Sequence, residues 1–196
     1  MAIDGFGTTE FQLVLLRRMA DFQPDLVAAA AARLGASRAD QREANKRWQA
    51  MIRSSRFPVG ARRFGAVLGP PERRLTRRIG DLTCTAEQWA LPLWPELRYE
   101  VLLGPGGGPA WQEWLVRAEG APPPALRTLA DLTPWSCVVA DLAAAFPPAT
   151  PREGSAPTRW QLDFTAPDLA GTPHRATADF THGLLQEVRP AGTVTP

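Results

Sequence analysis

Cys84, Cys137, His174 and His182 are, methionine aside, every soft metal ligand in the chain, and four is the count that structural zinc uses. Zinc motifs bring their ligands in closely spaced pairs, and no two of these four are paired in that way. Asp179 and His182 together with either thiol would supply a nucleophile, a base and an orienting acid. Any chain with two cysteines and two histidines offers as much. Neither GxSxG nor a phosphate loop ending in GK[ST] occurs. The run GPGGGP at 104–109 is flanked by strand-like segments, so it lacks the helix N-terminus that would hold a phosphate and reads as a turn. The balance leans away from an enzyme, and no cofactor or metal is called for.

Basic residues carry the stronger pattern. AAAARLGAS followed by a helix through Trp48 has the outline of a helix-turn-helix, with Gly35 in the turn and Ser37 capping the second helix. Arg38, Arg42 and Asn45 would then face bases or phosphates. Gln41 argues against it, because such units bury a branched aliphatic side chain at that place. Further on, 53–80 holds Arg53, Arg56, Arg62, Arg63, Arg73, Arg74, Arg77 and Arg78 against the single acid Glu72. With Phe57 and Phe64 interleaved, this stretch could clamp phosphates while its rings stack on bases or anchor in a core. The competing reading is a solvated face, or one that neutralises the acidic second half.

Charge supports the asymmetry without deciding it. Residues 1–80 carry 15 basic against 7 acidic residues, and 81–196 carry 7 against 13. The whole chain is only +2, with a pI of 8.9, short of the basicity of a dedicated nucleic-acid protein. A mean hydropathy of −0.20 and the lack of any apolar run near the roughly 20 residues of a membrane span exclude a transmembrane helix. The first ten residues, MAIDGFGTTE, have acids where a secretory signal would have basic residues and an apolar core, so a cytoplasmic location is expected. The two cysteines, far apart in sequence, are expected to be reduced and buried.

Several elements must position these groups. Thr8 or Thr9 should cap a first helix carrying Phe11, Val14, Leu15 and Met19 on one face. Pro24 opens a second helix that Gly35 stops, and Ser37 opens a third with Ala44, Trp48, Met51 and Ile52 at intervals of three and four. The arginine-rich stretch, broken by Pro58, Gly60, Gly65, Gly69, Pro70 and Pro71, reads as a loop with short helical pieces and as a hinge. Thr85 and Gln88 have capping-box spacing for a short helix. The segments 97–103 and 111–117 form a hairpin around GPGGGP, and 159–165 and 175–182 form a second strand pair. Between the pairs, Trp135, Val138, Val139, Leu142 and Phe146 recur at helical spacing and predict a helix over 134–146 covering the sheet. Gly183 is expected at a β-bulge, and the PREGSAPT run in an exposed loop.

The fold class is therefore α+β: a basic helical N-terminal region, then an antiparallel sheet of about four strands covered by a helix. The division falls at 1–80 and 81–196, unless the two form one continuous domain. The first functional reading is a non-catalytic intracellular binding or adaptor protein whose basic helical region docks a protein partner. The second is a DNA-binding regulator. The third is a small-molecule binder or enzyme using a pocket between helix and sheet, with Trp114, Trp135 and Trp160 as candidate lining. A homo-oligomer is compatible with all three, and no membrane partner is expected.

Overall fold

Glu10 starts the first helix by reaching back to the Gly7 N–H at 2.8 Å. In this computed structural model, which describes residues 5–152 and 158–193, Gly7 therefore holds the cap position expected for a threonine, and α1 runs Thr8–Met19. Pro24 begins α2 (Pro24–Arg33), and Gly35, at φ +67°, lets the chain turn into α3 (Arg38–Arg53). Ser37 caps α3 as expected. Its hydroxyl accepts the Asp40 N–H at 3.3 Å while Asp40 accepts the Ser37 N–H at 2.7 Å. The Ser37 hydroxyl, donating to Asp40 Oδ2 at 2.6 Å, and then the Ser37 N–H hold the Asp40 carboxyl below its ordinary range.

The chain divides into two compact units, Met1–Glu113 and Trp114–Pro196. In the first, the helices bury aromatic side chains against a sheet. Phe11 lies 5.4 Å from Trp48, 5.8 Å from Phe64 and 4.9 Å from Tyr99, mostly edge to face, as the ring quadrupoles favour. Phe64, fully buried on α4 (Arg62–Leu68), also touches Trp89. Phe57 packs on Trp48. Both phenylalanines of the arginine-rich stretch are thus core anchors. Ile52, by contrast, is more than a third exposed.

The sheet of this unit has the order β1 (Arg73–Ile79), β2 (Leu82–Ala90), β3 (Leu97–Leu103), β4 (Ala110–Arg117). Two local expectations fail here. The second half of the arginine-rich stretch is a strand, because at a sheet edge charged side chains can stay in water while the backbone pairs with β2. The stretch around Thr85 is also a strand. Cys84, Ala86 and Gln88 are buried in alternation with Thr83, Thr85 and Glu87, and this period of two outweighs the cap spacing.

The second unit holds a separate sheet, ordered β5 (Thr150–Arg152), β6 (Arg159–Pro167), β7 (Pro173–Thr181), β8 (Leu184–Thr193). The α+β class stands, but the two expected strand pairs lie in two four-stranded sheets. Each pair acquired its own flanking strands instead of the other. Leu162, Phe164, Ala178, Phe180 and Leu185 form the core with Leu142 and Phe146. The covering helix is shorter than expected: α5 spans Val139–Ala145. Trp135 has φ +66°, closed to a helix, and donates its N–H to Leu185 O at 2.8 Å, so 135–138 runs beside β8. Gly183 is not a bulge. With His182 at φ +48° and Gly183 at +76°, the pair is the two-residue turn of the β7–β8 hairpin. A Cβ on Gly183 would meet Leu115 O at 2.7 Å. Of the expected exposed loop, residues 153–157 lie outside the described residues. Among the described residues no helix is long and apolar enough to cross a membrane.

Candidate binding cleft

Arg74 and Glu87 sit directly opposite each other on β1 and β2, a register that brings Arg74 Nε to 2.8 Å from Glu87 Oε1. They line one side of a cleft of about 930 Å³ in the first unit. Val59, Gly60 and Ala61 before α4 line it too, as do Gly69, Pro70 and Pro71 after α4 and residues 107–110 of the β3–β4 turn. Trp89 Nε1 donates to Gly69 O at 2.9 Å and fixes the chain that leads into the two prolines. In the β3–β4 turn Trp111 lies over Gly104, where an added Cβ would come within 2.9 Å of the indole. Only glycine permits that approach.

Arg63 and Glu113 form the charged part of the lining. The Arg63 guanidinium donates to Glu113 Oε1, and the buried Tyr99 hydroxyl is hydrogen-bonded to the same carboxyl. Burial pushes the Glu113 carboxyl above its ordinary range, against the pull of Arg63 and Tyr99. Burial, with the Glu113 charge adding to it, pushes the Tyr99 phenol well above its own. Arg63 keeps its Nε buried without a hydrogen-bond partner. Arg62, one residue earlier, is exposed and has no acidic partner among the described residues.

The structure thus brings Arg62, Arg63 and Arg74 to one cleft. Arg77 is held elsewhere, by buried Glu100 at 3.0 Å, which also accepts from Gln88 at 2.7 Å. Arg38 and Arg42 lie on the exposed side of α3, flanking a second, smaller crevice. Arg53, Arg56, Arg73 and Arg78 line neither. Sequence reasoning missed Glu87 and Glu113. Glu113 belongs to the stretch whose tryptophans drew attention, and only its three-dimensional placement beside Arg63 distinguishes it.

The four soft ligands are not grouped as a zinc site would need. Cys84 is buried in the first unit, while Cys137, His174 and His182 belong to the second. Burial pushes the Cys137 thiol up to about 12, the reverse of nucleophile activation. His174 is engaged by Asp168 at 2.9 Å, and that bond, with backbone N–H groups of Thr172 and Ala170, holds the Asp168 carboxyl low. Among the described residues no three His, Cys, Asp or Glu side chains are grouped to hold a metal.

No protein-family model matches the chain, and no curated protein matches it. Among solved structures it is similar to a "putative beta-lactamase inhibitor protein" from Streptococcus mutans, at 8% identity over 69% of this chain and 84% of that one, with a TM-score of 0.28. A likeness at that score carries no argument.

Proposed function

We propose that this chain is a non-catalytic binding protein that docks an acidic, partly apolar segment of a protein partner in the cleft beside α4. One observation carries the reading: Arg62 is unpaired at the rim of a cleft whose other walls are Val59, Pro70, Pro71, Leu103 and Pro109. Exposed apolar side chains and backbone glycines suit a polypeptide better than a phosphate backbone, and an unspent guanidinium favours a carboxylate. Glu87 and Glu113 in the same lining would repel phosphates, and neither Phe57 nor Phe64 is available for base stacking. The lining contains no serine, threonine, cysteine or histidine, so the nucleophiles and bases of most hydrolases are missing from it.

Glu113 favours a second reading. A carboxyl with a raised pKa in a cleft is a common sign of an acid–base site. Here Arg63 and Tyr99 already occupy it, which suits a positioning role better than proton transfer.

Fluorescence anisotropy with labelled acidic peptides containing one or two aliphatic residues tests the proposal. Saturable binding at physiological salt, weakened about tenfold by Arg62→Glu, is the expected result, since a charge-assisted contact of this kind contributes about 1.5 kcal/mol or more. Submicromolar, sequence-selective binding of a DNA duplex at the same salt would overturn it in favour of the regulator reading.

A further inference from the structure

Gln41 is the residue that fits a helix-turn-helix least, and it leads to a second site. Its side chain is only 3% exposed, yet its amide Nε2 has no hydrogen-bond partner. A buried amide donor left unmade costs about 1–3 kcal/mol, so an acceptor oxygen placed against this amide would be favoured. Gln41 lines a crevice of about 250 Å³ formed by the first three helices. Each helix contributes a stripe at helical spacing: Arg17 and Ala20 from α1 and its C-terminal cap, Pro24, Val27 and Ala28 from α2, and Arg38, Gln41 and Arg42 from α3. The lining joins the apolar side chains of α2 to guanidinium groups of α1 and α3. Arg17 has a partner, Asp21 at 3.5 Å, whereas Arg38 and Arg42 have none among the described residues.

From this arrangement we infer that the crevice is a binding site for a small molecule ending in an oxyanion, a phosphate monoester or a carboxylate, with a short apolar body. The oxyanion takes the Gln41 amide N–H together with Arg38 and Arg42, and the apolar body covers Val27 and Ala28. A carboxylate and a phosphate both accept this donor set, and both leave the amide satisfied. The volume sits just below the range of drug-sized pockets, which fits a compact ligand. A duplex is the poorer occupant. Its phosphates would meet the exposed arginines but stay outside a recess whose distinguishing donor is buried. The site uses none of the residues of the cleft beside α4, so it stands or falls independently.

Isothermal titration of the full chain with phenyl phosphate, benzoate and inorganic phosphate tests the inference and separates the two oxyanions. One of the two aromatic ligands should bind saturably at one per chain. Inorganic phosphate, which leaves the apolar side chains of α2 uncovered, should bind about tenfold more weakly or not measurably. Arg38→Ala with Arg42→Ala should weaken binding about tenfold or more. Gln41→Leu should abolish it while leaving the thermal midpoint unchanged or higher, because an apolar side chain of similar size removes the unsatisfied amide. Arg62→Glu should leave binding unaltered. The inference is overturned if none of the three anions binds saturably at millimolar concentration, or if Gln41→Leu binds as well as the wild type. Displacement of the bound anion by a short DNA duplex, itself sensitive to Gln41→Leu, would equally overturn the small-molecule assignment.

Discussion

The two units treat arginine differently. In the second, Arg117 holds Asp141 at 2.6 Å, Arg189 holds Asp179 at 2.6 Å, and Arg152 lies 3.6 Å from Asp163, so three of its acids are engaged by its own arginines. In the first, three arginines of the sheet are paired in the same way: Arg74 with Glu87, Arg77 with Glu100, Arg98 with Glu72. On the helices and their loop, Arg17 and Arg63 have acidic partners, whereas Arg38, Arg42, Arg53, Arg56 and Arg62 are exposed with none among the described residues. Acids of the second half of the sequence, Glu87, Glu100 and Glu113, therefore neutralise part of the basic front, at Arg74, Arg77 and Arg63. Of the exposed arginines without an acidic partner among the described residues, Arg38, Arg42 and Arg62 line the two crevices of the first unit.

The cores differ as well, and here the largest effect is expected. Phe64 touches four other rings at 5.5–6.0 Å and is fully buried. Phe64→Ala should destabilise the protein by about 4 kcal/mol in urea denaturation. A loss below about 1 kcal/mol would mean that the aromatic cluster does not organise this unit.

Next in size comes the contrast between buried and exposed ion pairs. Removing one member of a buried pair costs about 3–5 kcal/mol, reduced here because the Arg63 and Glu113 side chains remain about a quarter exposed. Glu113→Ala should therefore cost about 2 kcal/mol and Arg152→Ala, in a pair open to solvent, less than about 0.5 kcal/mol. Equal costs would erase the distinction between the two regions.

The same groups separate the units by pH. Glu113 has a folded pKa above its ordinary value, so between the two values the folded state binds more protons than the unfolded one. Stability should fall as pH rises through that window and level off above it. Asp168 in the second unit is held low, so its contribution is present above its ordinary pKa and lost as pH falls through the lowered one. Denaturation midpoints recorded from acid to neutral pH should show the first slope in the wild type and lose it in Glu113→Gln. Persistence of that slope in the variant would assign it to another group.

Much of this was legible in the sequence where one periodicity dominates. Ser37, Trp48 and the spacing between them specify α3, and the alternation from Leu97 to Leu103 specifies β3. The failures have physical causes. Arg73, Arg74, Arg77 and Arg78 hide an edge strand, because such a strand needs no apolar face on its solvent side. Trp135 belongs to an apolar pattern with helical spacing, but its backbone N–H is claimed by Leu185, a contact that depends on where β8 lies. The arginines of the cleft were visible as arginines. Which of them would be neutralised was not, since Glu87 and Glu113 reach their partners through register and strand placement rather than through spacing.

The smallest change in stability should accompany the largest change in binding, and this tests the central claim most directly. Arg62→Glu should leave the denaturation midpoint within about 0.5 kcal/mol of the wild type, because the side chain is exposed and unpaired. Titration of an acidic peptide against both proteins across a range of salt concentrations should show affinity falling with salt for the wild type and a markedly shallower fall for the variant. Identical affinities and salt slopes for the two proteins would contradict the account, for the unpaired arginine at the cleft would then take no part in docking.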